Sequence, residues 1–398
     1  MRQIPNEKFC LGTHPSMKLQ REVAKNDGGG NQYSTERFGK WFREISQVFP
    51  GEKLSVDTAA LYQFTELFSA WCSRENFDPR SIDIWTKIGR YPAFQSDSDI
   101  NAESAAIRSG AEGGIFDNTT DIFSLYDTNA TRALIMAQCA TLNVVELAGV
   151  AIHDPGDHLM RDGGYIKEED GLAFYEEERF DAEYDFDKTP QWDRIGAGTI
   201  EALKLHQSTG QIRNVGLATK HAKTVVEIVK RFPGQFDYIM HTLCNPSATT
   251  SFCDLIDLAK AESAAGRTLK LDMGGILYGG LYATDRDLNP EMEKPRSQRV
   301  VANYQNASDA QLKLAIGIQN VVDKYPGIHR RNLAAEYAGA ALEKYPEICQ
   351  RCVVTSNTPS RTESLIQEIH SSVVPQDCWK QLIDEGLFDA RTAEFLLV

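Results

Sequence analysis

No stretch of the 398 residues approaches the ~20 consecutive apolar positions that span a bilayer. The opening segment, MRQIPNEKFCLGTHPSM, has no apolar core behind its arginine, so it does not read as a secretory signal. Basic residues are in deficit, 42 Lys and Arg against 56 Asp and Glu, for a formal charge of −14. Phosphate backbones and anionic membranes both select a basic face, so nucleic acid and membrane are not expected partners. Cysteine is sparse and scattered, at 10, 72, 139, 244, 253, 349, 352 and 378. A chain this long does not need disulfide staples, and a reduced cytoplasm is the simplest setting. The one CxxC, Cys349 with Cys352, has no second pair and no histidine pair at zinc spacing. It reads as two semi-buried thiols where a helix meets a strand, and no metal site is expected. Neither a G-x-G-x-x-G turn nor a phosphate-binding P-loop follows an early strand, which disfavours a doubly wound open sheet. There is no low-complexity tract.

What is present is an alternation of short apolar runs and longer amphipathic stretches. Strands are expected at 9–13, 53–59, 83–89, 144–154, 213–219, 237–243, 268–273 and 351–357. Several are almost continuously hydrophobic, as when helices cover both faces of a parallel sheet. Helices are expected at 35–49, opened by Ser34-Thr35-Glu36, and at 131–142, 198–210, 222–232, 250–266, 329–345 and 359–373. Eight strands alternating with helices predict an α/β protein with a (β/α)8 TIM barrel over residues 1–398 as a single domain. The chain exceeds the usual ~250 residues of such a barrel. The surplus falls in three inserts near 91–127, 157–188 and 283–306, expected as loops at the C-terminal face. The second carries twelve acidic residues against four basic ones. Hung over a barrel mouth, it would disfavour anionic substrates.

Barrel chemistry gathers where strands end. Asp57 closes the second apolar run, and Tyr62 follows five residues later. Lys87 closes the third run, and His153, followed by Asp154, closes the fourth. Taken singly, each has an ordinary structural reading: a strand-end cap, a rim aromatic, a lysine snorkelling to water, a turn. Together they form a proton-transfer set. A phenol near pKa ~10 is a weak acid at neutral pH. A neighbouring ammonium favours its phenolate, a carboxylate holds the ammonium in place, and an imidazole orients a substrate oxygen. Coupled to a hydride carrier, such a set reduces a carbonyl or oxidises an alcohol. Of the other histidines, His158, His206, His221, His329 and His370 read as surface residues.

These segments resemble the aldo-keto reductases. V-D-T-A-A-L-Y is similar to the family's D-T-A-x-x-Y, W-T-K-I-G to its lysine strand and A-I-H-D to its histidine strand. D-Y-I-M-H-T-L-C-N-P, G-G-I-L and T-S-N-T-P-S-R resemble the later strand ends and the cofactor loop, and V-P-Q-D-C-W-K-Q-L-I-D-E-G-L resembles the tail of the D-threo-aldose 1-dehydrogenase branch. The resemblance covers about residues 9 to 390, with gaps at the inserts. It implies Tyr62 as general acid/base, Lys87 as its modifier, Asp57 as the partner of the lysine and His153 as substrate orienter. It also implies NADP or NAD as cofactor, with Thr219, His241, Met273, Ser356 and Arg361 in contact with it, and a small sugar, polyol or aldehyde as substrate. Departures accompany it. Gly216-Leu217-Ala218-Thr219 stands where the family has Ser-Asn, His241 replaces a Gln, and Thr355 replaces a Lys of the cofactor loop. The choice between NADP and NAD therefore stays open, as does the oligomeric state. Two other readings use the same residues: a cofactor-sensing or regulatory barrel, and a non-redox isomerase or lyase built on the Tyr/Lys pair.

Overall fold

A computed structural model of the chain describes residues 2–13, 31–49, 51, 53–59, 62, 64–92, 122–124, 128–155, 194–283, 286–302, 305–355, 358–371 and 373–397. Each of the eight apolar runs contains one strand: β1 Phe9–Gly12, β2 Ser55–Asp57, β3 Asp83–Ile88, β4 Gly149–His153, β5 Val215–Thr219, β6 Tyr238–His241, β7 Lys270–Met273 and β8 Cys349–Val354. They form a closed barrel in the order β1-β8-β7-β6-β5-β4-β3-β2, with parallel pairing between registered neighbours. The fold is the (β/α)8 barrel. Helices follow the strands: α1 Asn31–Ser46, α2 Phe64–Glu75, α3 Thr128–Leu142, α4 Glu201–Ser208, α5 Ala222–Arg231, α6 Thr249–Ala264, α7 Asp309–Val322, α8 Arg330–Lys344, α9 Pro359–His370, α10 Gln376–Asp384 and α11 Arg391–Leu396. Among the described residues no helix is long and apolar enough to cross a membrane.

The chain groups into two units. The first comprises Phe9–Met240 with Thr355–Thr362. Here α1 presents Phe38, Trp41, Phe42 and Ile45 on one face, the 3–4 residue spacing that makes a helix amphipathic. Phe64, Phe68 and Trp71 of α2 meet them, with Phe42 edge-on to Phe68 at 5.1 Å and to Trp71 at 5.2 Å. Strand register then decides which side chains share a face. Asp57 pairs with Trp85, and Lys87 lies two residues further along β3, on the same face as Trp85. Trp85 pairs with Gly149 and Lys87 with Ala151, while Ala151 pairs with Gly216. That face is therefore built from Trp85 and Lys87 on one strand and Gly149, Ala151, Gly216 and Ala218 on the next two. The small residues are needed. A Cβ at Gly149 would sit 2.2 Å from the Trp85 ring, and one at Gly216 would sit 2.5 Å from Tyr238.

The second unit comprises residues 1–8, His241–Val354 and Glu363–Val398. Its core packs Leu312, Ile318, Val322 and Leu333 of α7 and α8 against Trp379, Leu382 and Phe388. Ser308 caps α7 in a reciprocal box with Gln311. A bulge between Cys349 and Arg351 shifts the β8 register, and Arg351 lies opposite Asp272 of β7 in a buried bidentate pair.

Several expectations change. Residues 144–148 are not strand: Leu147 makes only an isolated bridge to Ile212, and Val145 is 83% exposed. β8 begins two residues early, and Cys349 and Cys352 are fully rather than partly buried. α1 starts at Asn31, ahead of the Ser34-Thr35-Glu36 signal. The helix expected from 198 opens instead as a π-helical turn, Arg194–Ile200. Within the 283–306 insert, Glu291 is buried on the short helix Asn289–Met292, where it accepts the Val300 N–H and pairs with Lys294 and Arg286. In the 91–127 insert, Ile122–Ser124 pairs with Arg90–Pro92. Residues 157–188 lie outside the described residues. His206 and His221 are buried, not at the surface.

Candidate active site

The four residues expected to carry proton transfer all lie in the first unit. Asp57 is the last residue of β2, and its backbone is fixed by Thr13, whose N–H and hydroxyl both donate to the Asp57 carbonyl at 3.0 and 3.1 Å. The parity of β2 and β3 then delivers Lys87 to it. The Lys87 ammonium donates to Asp57 Oδ1 at 2.6 Å and to the Thr58 carbonyl at 2.8 Å. Only 1% of Lys87 is exposed, so it does not snorkel to water.

Tyr62 comes to the same place through a short turn, its N–H donating to the Ala59 carbonyl at 2.9 Å. Lys87 Nζ stands 5.4 Å from the centre of the Tyr62 ring, within the range at which a cation and a ring face attract. On the other side the His153 ring lies 6.3 Å from the Tyr62 ring, edge-on at 88°. Carboxylate, ammonium, phenol and imidazole thus run in sequence Asp57–Lys87–Tyr62–His153 around a buried rim. A fixed positive charge near the ring of a tyrosine favours its phenolate form.

Two further ionisable side chains join this set. Asp154 adopts a left-handed backbone, φ +44°, and its N–H donates to the Ala218 carbonyl of β5 at 2.7 Å. Its Oδ2 lies 3.8 Å from His153 Nε2 and also 3.8 Å from Lys220 Nζ. Lys220 is buried directly after β5. From sequence, Asp154 reads as part of a turn and Lys220 passes without notice. The signal for Lys220 is the one that marks Lys87, a lysine at the end of an apolar strand.

The residues expected to touch a cofactor are placed as follows. Thr219 ends β5, fully buried, and its hydroxyl accepts the His221 N–H at 3.0 Å. In the second unit, His241 ends β6 and Met273 ends β7, both fully buried. Arg361 is exposed in the first turn of α9, and Ser356 lies outside the described residues. Tyr278, in the turn that follows β7, has its hydroxyl accepting from Gln311 Nε2 at 3.0 Å. Among the described residues there is no group of three or more His, Cys, Asp or Glu able to hold a metal ion.

No family profile and no curated protein matches the sequence. Solved structures do match in three dimensions. The aldo-keto reductase AKR11C1 from Bacillus halodurans, in its holo form, superposes with a TM-score of 0.53 at 12% identity, over 96% of this chain and 92% of that one. The glycerol dehydrogenase AKR11B4 from Gluconobacter oxydans gives the same TM-score and identity over 96% of this chain and 94% of its own. At that identity the likeness is one of fold: the chain shares the (β/α)8 barrel of those proteins.

Proposed function

We propose that the protein is an NAD(P)-dependent oxidoreductase that interconverts a carbonyl or lactol with its alcohol or lactone on a small sugar, polyol or aldehyde. The observation that carries this reading is the Lys87 ammonium, bonded to Asp57 and set beside the Tyr62 ring, with His153 across from it.

The residues available for a dinucleotide fit that role. The Thr219 hydroxyl, which accepts the His221 N–H at the end of β5, is a group of the kind that bonds a carboxamide. The Arg361 guanidinium is exposed and always charged, as a phosphate contact requires. When bound, the dinucleotide supplies the hydride donor or acceptor. The chain supplies the proton. In the reductive direction the Tyr62 hydroxyl protonates the substrate oxygen, while Lys87 stabilises the phenolate left behind and Asp57 keeps Lys87 in place. His153 hydrogen-bonds the same oxygen and orients it. In the oxidative direction the phenolate takes the proton back.

The test has two parts. Mass analysis identifies any dinucleotide that co-purifies, and a panel of small sugars, polyols and aldehydes is then screened with NAD and NADP in both redox states. Tyr62→Phe is expected to lower kcat by at least ~100-fold, the usual scale of general acid–base catalysis, with dinucleotide affinity nearly intact. Full turnover in that variant removes the mechanism. Dinucleotide binding with no turnover across the panel marks a sensor, and turnover without any dinucleotide marks a proton-transfer enzyme.

A further inference from the structure

Beside the proposed proton donor the chain buries a second lysine. Lys220 is 3% exposed, immediately after β5. An ammonium withdrawn from water is unfavourable unless a counter-charge stands near it. A carboxylate of opposite charge stands near it: Asp154, which itself sits in a backbone conformation that few non-glycine residues adopt. That conformation is held by the Asp154 N–H on the Ala218 carbonyl of β5, two residues before Lys220. A strained acid and a buried base, tied to each other by backbone and by charge at the rim of a candidate site, are the kind of feature retained where geometry matters.

One carboxylate oxygen, Asp154 Oδ2, stands 3.8 Å from the ammonium of Lys220 and 3.8 Å from His153 Nε2. Among the described residues, the groups set against His153 are Tyr62 from the turn after β2, itself beside Lys87 and Asp57, and Asp154 at the end of its own strand, which in turn meets Lys220 after β5. Of these, Asp154 favours the imidazolium, and Lys220 draws on the same carboxylate and offsets it. We propose that Asp154 and Lys220 are a positioning couple that fixes the orientation of His153 and sets its protonation state. Neither touches the substrate in this account; both act through the imidazole.

The couple predicts effects of opposite sign. In Lys220→Met the Asp154 charge is no longer offset, so His153 holds its proton to higher pH. In Asp154→Asn the carboxylate that favours the imidazolium is removed, so His153 releases its proton at lower pH. Proton NMR of the imidazole in the full chain, assigned with His153→Gln, reads both midpoints without substrate or dinucleotide. Each is expected to move by about one pH unit or more, the scale for a charge at this distance. Lys220→Arg keeps the charge and is expected to keep the wild-type midpoint. If Lys220→Met does not fold, Asp154→Asn and Lys220→Arg still decide. Unchanged midpoints, or a shift of Asp154→Asn to higher pH, overturn the proposal, because a purely structural ion pair alters stability and leaves the titration alone. The kinetic counterpart rests on the oxidoreductase reading: the acid limb of kcat/KM moves with the midpoint in each variant. Shifted midpoints in a chain that turns over nothing on the panel leave the couple standing and remove the oxidoreductase reading. Turnover with unmoved midpoints does the reverse.

Discussion

A lysine that exposes 1% of its surface survives burial because of what it touches. Lys87 bonds one carboxylate oxygen and one carbonyl, and Asp57 depends on it in return. Removing one member of a buried pair leaves an uncompensated charge, at a cost of about 3–5 kcal/mol, whereas removing both charges is often nearly neutral. Lys87→Met is therefore expected to lower unfolding free energy in urea by about that amount, and the double variant Asp57→Asn with Lys87→Met is expected to regain part of it. A double variant no more stable than Lys87→Met alone contradicts the pairing. At this scale the sequence was informative where polarity changed abruptly: Asp57, Lys87 and His153 each end an apolar run. Lys220 ends one too, but it belongs to none of the segments that carry the resemblance, so it passes without notice. The partnership of Asp154 with two different strands depends on a left-handed backbone that a sequence does not display.

At the scale of elements, two glycines with similar backbone conformations separate strain from crowding. Gly210 has φ +78° and open space where a Cβ would stand. Gly275 has φ +62°, but its Cβ would lie 1.7 Å from the Thr242 carbonyl oxygen, because the turn after β7 crosses closely over the chain that leaves β6. Gly210→Ala is expected to destabilise by ~1–2 kcal/mol, the left-handed penalty alone. Gly275→Ala adds displacement of backbone, so its loss is expected to be clearly larger in the same urea titration. Equal losses would mean that the turn relaxes freely. Strands were legible because a covered parallel sheet needs unbroken apolar runs, but runs such as 53–59, 237–243 and 144–154 outlast the strands inside them. The first five residues of 144–154 are apolar except Glu146, yet leave Val145 in solvent, since Asn143 turns the chain at φ +53° before β4 begins. Helix starts were less legible: α1 begins in Asn-Gln-Tyr, before its capping signal, and α7 carries its box and apolar spacing directly behind a polar insert.

Across the whole molecule, the number of strands was enough to specify the barrel, while the inserts conceal local order, such as the buried Glu291, that no periodicity announces. The cysteines are distributed over both units and all eight are free and buried. Burial pushes the thiols of Cys72, Cys349 and Cys352 up to about 12, from an ordinary value of 9.0. The sign of the linkage follows. Above pH 9 the unfolded chain releases thiol protons that the folded chain retains, so the unfolded state binds fewer protons and stability falls as pH rises toward 12. The contribution of these thiols is fully present below pH 9 and is lost by up to ~1.4 kcal/mol per pH unit for each thiol above it. Urea unfolding at intervals between about pH 8.5 and 10.5 is expected to show that decline, and Cys352→Ala is expected to show a shallower one whatever its absolute stability. Over the same range iodoacetamide should leave Cys352 unmodified in the folded chain, since the thiolate is the nucleophile and burial withholds it. Parallel slopes for the two proteins, or rapid labelling of Cys352 under native conditions, contradict a barrel that encloses its CxxC as a pair of inert core thiols.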